Sequence, residues 1–302
     1  MSEREWLPDL DSCLTGVNVW VSRLDQCRDE SLLRQYASLL SASESERRRR
    51  FLFEGDRHTY LVSHALVRSV IGQIAGEEPS RLTFSEGRNG KPLLHHALSR
   101  LGRIEFNLSH TDGLAILCTA TNRVVGVDVE HVHRPAPLEV AQRYFSSLEV
   151  EELMQLPPED RPTRFWSLWT LKEAYIKATG HGLSAELSQF SFSLSRPGAL
   201  DFRISMEGFA ECSRWWFAQW AATPMHLATI CLEQPEAGLP EVRFWEVVPL
   251  RSARDVVVNF LTCGGDSAPS LPTTTLKPAP FDPATPHPLL LGPPLPKIAS
   301  RP

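Results

Sequence analysis

A long helical pattern that ends in glycine, then a glycine-bearing turn, then short strands, occurs twice in this 302-residue chain, over residues 57–91 and 164–192. A helix and the strands that follow it must bury their apolar sides, and the nearest partners are each other. The recurrence therefore favours an α+β fold with two similar α/β lobes over one doubly wound sheet. A ligand site is expected between the lobes, where clefts commonly form.

The finer pattern fills in that frame. Residues 17–21 read as a first strand. Leu61, Ala65, Leu66, Val70 and Ile74 stand at helical spacing and predict a helix over 57–74. Ser43 with Glu46, and Ser146 with Glu149, have capping-box spacing, so helices should start at 43 and 146, the second running through Met154. A third helix covers 163–179 and stops at Gly180. Strands are expected at 82–84 and 104–108, around the turn holding Gly90, Lys91 and Pro92. Residues 114–119 and 124–129 read as a hairpin, and 190–194, 200–204, 215–221 and 226–231 as closing strands. From residue 266 onward, 37 residues hold 11 of the 24 prolines and five charges, which predicts a mobile tail. The division expected is an N-terminal lobe over 1–122, a C-terminal lobe over 123–263 and a tail over 264–302.

Several function classes are argued against by composition. A net charge of −5, from 31 basic and 36 acidic residues, carries no general nucleic-acid signal. No apolar run approaches the roughly 18 residues a bilayer span requires. The acidic start is unlike a secretory signal, and the six cysteines lack any Cys-x-x-Cys pair. A cytoplasmic monomer with reduced thiols is the expectation.

Asp128 and Glu130, in Gly126-Val127-Asp128-Val129-Glu130, share one face of a strand, and side-by-side carboxylates repel unless a cation lies between them. Oxygen ligands of this kind suit Mg²⁺ beside a phosphate. Asp128 is expected at an exposed cleft. Glu173 and Lys177 stand one helical turn apart, an acid–base pair on a helix crowded by Trp166, Trp169 and Tyr175. Ser109 and His110 follow a strand into a loop. Neighbours on an extended chain point apart, so they do not make a nucleophile and its base, but both can bind phosphate. Arg47 to Arg50 circle a full turn, so only one or two can face a cleft. Lys91 is a further cation on a rigid turn.

In their order along the chain these motifs resemble the 4′-phosphopantetheinyl transferases of the larger, surfactin-synthetase-activating (Sfp-like) type. The marks are Gly90-Lys91-Pro92, Phe106 to His110, Gly126 to Glu130, Phe145 to Glu149, Trp169 to Lys177 and Gly180 to Leu183. The resemblance implies a pseudo-twofold fold with the active site between lobes. It also implies transfer of 4′-phosphopantetheine from coenzyme A to a serine of acyl or peptidyl carrier protein domains, with release of 3′,5′-ADP. By position, Asp128, Glu130 and Glu173 would bind Mg²⁺, with Glu173 also the base and Lys177 facing the pyrophosphate. Ser109, His110, Arg47 and Arg50 would contact the phosphates, and Lys91 and Pro92 would border the adenine. Glu44 and Tyr60 depart from the phosphate-binding lysine and the threonine of some relatives, and His181 replaces the commoner lysine of the Gly-Lys-Gly turn. Glu149 belongs to a family motif but also completes a capping box, so a structural role is expected for it. The alternatives are a non-catalytic module that binds coenzyme A or carrier protein, and a Mg²⁺-dependent nucleotide pyrophosphate hydrolase.

Overall fold

The computed structural model describes residues 6–7, 13, 16–87, 91–94, 98–99, 102–181, 187–196, 198–204, 214–234 and 241–264. The proline-rich tail from residue 266, with Gly90, Gly182 and Leu183 of the turns, lies outside them. In chain order the elements are β1 (Val17–Arg23), α1 (Glu30–Leu39), α2 (Ala42–Arg49), α3 (Glu54–Ala75), β2 (Phe84–Glu86), β3 (Pro92–Leu94), β4 (Leu98–Ser99), β5 (Gly102–Thr111), β6 (Leu114–Thr121) and β7 (Val125–His131). There follow α4 (Leu138–Tyr144), α5 (Ser147–Gln155), α6 (Arg161–Thr179), β8 (Phe190–Arg196), β9 (Gly198–Ile204), β10 (Trp215–Thr223), β11 (His226–Glu233), β12 (Val242–Val248), β13 (Ser252–Val256) and β14 (Phe260–Gly264).

Two six-stranded sheets form, in the orders β13-β12-β1-β6-β5-β4 and β7-β11-β10-β14-β9-β8. Strand alternation explains how they stack. Val17 and Val19 of β1, Ile116 and Cys118 of β6, Val127 and Val129 of β7 and Ile230 of β11 share one apolar cluster between the sheets. The opposite face of the first sheet is covered by α3, whose Leu61, Ala65, Leu66, Val70 and Ile74 are all buried, as their spacing predicted. On the second sheet α6 lies over an aromatic face that includes Phe192, Phe202, Trp215 and Phe217. Both long helices end on a glycine in the left-handed region, Gly76 (φ 70°) and Gly180 (φ 69°), which a side chain would disfavour.

The structure corrects four local expectations. The segments 114–119 and 124–129 do not pair: β6 lies between β1 and β5, while β7 is an edge strand of the other sheet. Their apolar residues meet face to face across the inter-sheet core, an arrangement with the same alternation as a hairpin. The first capping box uses Ser41 and Glu44, so α2 begins two residues earlier than Ser43 suggests. Ser109 and His110 lie within β5 and not in a loop. Gly264, assigned to the tail, ends β14. In addition, β12 pairs in parallel with β1, so the chain returns to the first sheet and no single cut at residue 122 separates the sheets. Among the described residues, no helix is long and apolar enough to cross a membrane.

Candidate active site

The site grows from the way an edge strand is held. The Val127 amide donates to Asn107 Oδ1 at 2.8 Å, and the Val129 amide donates to Ser109 Oγ at 3.3 Å. Side chains of β5 thereby satisfy amides on the free edge of β7 and join the two sheets. With Val127 and Val129 committed to the inter-sheet core, Asp128 and Glu130 must face α6.

How closely α6 descends is set by Gly126. A Cβ at this position would fall 2.1 Å from the Ala174 carbonyl oxygen and 2.5 Å from the Ala178 nitrogen. Only glycine admits such an approach of helix backbone to strand. Gly126→Ala is expected to cost roughly 1–3 kcal/mol through overpacking. An unchanged denaturation midpoint would show that α6 is free to shift.

The close approach brings Lys177 down onto Asp128. Its Nζ donates to Asp128 Oδ1 at 2.6 Å and to Ser109 Oγ at 2.9 Å, and Ser109 Oγ donates to the same Oδ1 at 3.0 Å. The ion pair of Lys177 is therefore with Asp128 and not with Glu173, its neighbour on the helix. Asp128 is 3% exposed, which corrects its expected place at an open cleft. Its second oxygen, Oδ2, is buried and has no hydrogen-bond partner among the described residues. Glu130 pairs with Arg134, whose guanidinium lies 4.6 Å from the Trp166 ring centroid.

Electrostatics mark this cluster as short of positive charge. Burial, then the Asp128 carboxylate, push Glu130 up to about 8 against the pull of Arg134 and Lys177. Burial also pushes Glu173 up to about 7, opposed by Lys177 and reinforced by Asp128. For Lys177, burial works against its charge, but Asp128 and Glu173 outweigh it and hold the ammonium above its ordinary range. Glu130, Glu173 and Lys177 nevertheless keep solvent-accessible surface. Groups surrounded by protein yet still touched by water line a recess.

The remaining predicted residues divide. His110, next to Ser109 on β5, is exposed at its surface, yet burial by the surrounding protein, then the charges of Lys177 and His64, lower it to about 4. His64 of α3 stacks on Tyr60 with ring centroids 3.8 Å apart. The exposed Arg47 acts on both rings through its charge, whereas Arg50 is paired with Glu46 at 3.5 Å. Glu44 is bound by the buried Arg68 at 2.8 Å. Lys91 Nζ donates to the Ala178 carbonyl at 2.9 Å, at the negative end of α6, and Pro92 beside it is exposed. Glu149 caps α5 with Ser146 and forms a wholly buried pair with Lys172, the structural role its spacing indicated. Asn107, Arg134 and His64 were not singled out from sequence. Asn107 sits inside the Phe-Asn-x-Ser-His motif, so its place there was the available signal.

Two family models match consecutive stretches: the 4′-phosphopantetheinyl transferase N-terminal model over residues 28–122 and the 4′-phosphopantetheinyl transferase superfamily model over 124–231. The chain is 36% identical over 199 residues to the 4′-phosphopantetheinyl transferase HetI of Nostoc sp., covering 65% of this chain and 82% of that protein. It is 31% identical over 202 residues to the transferase Sfp of Bacillus subtilis, covering 67% and 86%. Against the transferase psf-1 of Bacillus pumilus the identity is 29% over 225 residues, covering 74% and 92%. The chain belongs to the 4′-phosphopantetheinyl transferase superfamily, with the size and N-terminal region of its larger, Sfp-like type.

Proposed function

We propose that this chain transfers the 4′-phosphopantetheine group of coenzyme A to a serine hydroxyl of acyl or peptidyl carrier protein domains and releases 3′,5′-ADP. The observation that carries the reading is the meeting of Asp128, Glu130, Glu173 and Lys177 in one recess at the junction of the two sheets. The reaction would take place there, between a lobe built on residues 1–122, to which β12 and β13 return, and a lobe built on residues from 123 onward.

The donors fit a hard divalent cation. They are carboxylates, two of them pushed up by burial and by neighbouring carboxylate charge, and Asp128 Oδ2 is a buried acceptor with no donor among the described residues. Among the described residues no three His, Cys, Asp or Glu gather into a ready-made cage. Mg²⁺ needs none, because it commonly takes one or two carboxylates and completes its shell with water and phosphate. Asp128, Glu130 and Glu173 would hold Mg²⁺, one or two of them directly and the rest through its waters, and the ion when bound neutralises pyrophosphate charge. Glu173 accepts the proton of the incoming serine, directly or through water. The serine oxygen bonds to the phosphorus that carries pantetheine, and the bond from that phosphorus to the bridging oxygen breaks. Lys177, kept cationic by Asp128 and Glu173, stabilises the departing phosphate. Ser109, already hydrogen-bonded to Asp128 and Lys177, orients them and acts as no nucleophile. His110 and Arg47, both of which interact with His64 through charge, would donate to the phosphates of the nucleotide, with Arg50 in exchange for its exposed pairing with Glu46, and Lys91 with Pro92 would form the border on the adenine side.

The deciding assay measures 3′,5′-ADP after incubation with coenzyme A, Mg²⁺ and apo-carrier protein. Release matched one-for-one by modified carrier, and none without carrier, supports transfer. Release without carrier would mean hydrolysis. Mg²⁺ at about 100 times its dissociation constant is expected to stabilise the wild-type chain by about 2.7 kcal/mol. Asp128→Asn should lose most of that thermal shift, and an equal shift in the variant would remove Asp128 from the metal site.

A further inference from the structure

The face of the second sheet beneath α6 carries mainly aromatic and aliphatic side chains, among them Phe202, Phe217, Leu200 and Leu227, and is crossed by one polar row. Asp128 of β7 stands opposite Thr229 of β11, Thr229 opposite Gln219 of β10, and Gln219 opposite Thr262 of β14. Directly opposed residues project from the same face of a sheet. Thr229 is 0% exposed, Gln219 2%, and Thr170 of α6, which meets them, 0%. Gln219 Nε2 lies 3.1 Å from the Ser167 carbonyl oxygen, 3.0 Å from Thr170 Oγ1 and 3.1 Å from Thr229 Oγ1. Thr229 Oγ1 donates to Thr170 Oγ1 at 2.9 Å, and Thr170 Oγ1 donates to the Trp166 carbonyl at 3.0 Å.

We propose that Thr170, Gln219 and Thr229 are positioning residues that fix the roll and axial register of α6, and so the placement of Glu173 and Lys177 over Asp128. This rests on the transfer reading above. Thr170 is three residues before Glu173, on adjacent helical turns. Thr229 stands one strand from Asp128. Gly126 sets the height of α6 at Ala174 and Ala178, but close packing of backbone leaves rotation about the helix axis open. Aromatic side chains substitute for one another with little directional preference, whereas hydrogen bonds to hydroxyls at fixed strand positions admit one register. Stability does not require this network, because a complete apolar replacement of similar shape is commonly neutral.

The test compares three proteins: wild type, the triple variant Thr170→Val, Gln219→Met, Thr229→Val, and the conservative variant Thr229→Ser. The triple variant is expected to fold with a thermal midpoint near wild type. Its kcat should fall by about 10²-fold, the cost of an ångström-scale misplacement, with little change in KM for coenzyme A. Thr229→Ser, which keeps the hydroxyl, should hold kcat within a few-fold. Hydrogen exchange of the α6 amides should be faster in the triple variant at equal global stability. Wild-type kcat and wild-type α6 protection in the triple variant would overturn the proposal, as would a triple variant that fails to fold. A Thr229→Ser protein as slow as the triple variant would overturn it too, since volume would then matter and not the hydroxyl. If the wild type transfers nothing to carrier protein, the transfer reading fails, and the exchange of the α6 amides still decides whether the network holds the helix.

Discussion

Glu173→Gln is expected to lower kcat by about 10²–10⁴-fold, the range typical of losing a general base. The substitution keeps the shape of the side chain and removes its charge. Glu173 lies in a recess where burial has pushed its carboxyl up to about 7, so it can take a proton near neutral pH and release it again. Among the described residues no salt bridge holds Glu173 in place, so the thermal midpoint should stay near wild type. Coenzyme A affinity, read by calorimetry, should change far less than kcat. A variant turning over at the normal rate would remove Glu173 from the chemistry.

The preceding residue should behave in the opposite way. Lys172→Met is expected to destabilise the fold by about 3–5 kcal/mol, the usual cost of stripping one partner from a buried ion pair. Lys172 is 0% exposed and Glu149 1%, with 2.8 Å between Nζ and Oε2. The same Nζ donates to the carbonyls of Leu187 and Phe190, each at 2.7 Å, so three acceptors lose their donor at once. Glu149 also accepts from the amides of Ser146 and Phe192, which tie α5 and β8 together. The thermal midpoint should fall on the order of 10 °C. The double variant with Glu149→Gln should recover part of the loss, because it removes the stranded charge. A single variant within about 1 kcal/mol of wild type would contradict the buried pairing.

Two consecutive residues thus divide between rate and stability, and helix geometry is the reason. A step of about 100° turns Lys172 into the core and Glu173 to the recess. Much of this was legible in sequence because it depends on short-range periodicity. The apolar stripe of α3, the glycine ends of α3 and α6, the shared face of Asp128 and Glu130 and the cap at Ser146 follow from neighbours within four residues. What the sequence hid depends on pairing between distant segments. Alternation gives the face of Asp128 but not what covers that face, so its burial was missed. The i, i+4 rule made Glu173 the neighbour of Lys177, yet Asp128 takes the ion pair because Gly126 lets the helix descend. The row of Asp128, Thr229 and Gln219 spans about a hundred residues of chain and exists only through strand register. Likewise, β6 and β7 carry hairpin-like alternation, and only the occupancy of both edges of β6 sends β7 to the other sheet.

The central claim is that this recess moves phosphopantetheine onto a carrier serine. Intact-mass analysis of an apo-carrier protein after incubation with the chain, coenzyme A and Mg²⁺ tests it most directly. The account predicts a gain of one 4′-phosphopantetheine per carrier, lost when the acceptor serine is replaced and strongly slowed by Glu173→Gln. Carrier of unchanged mass across acyl and peptidyl types, from a folded protein that binds coenzyme A, would contradict it.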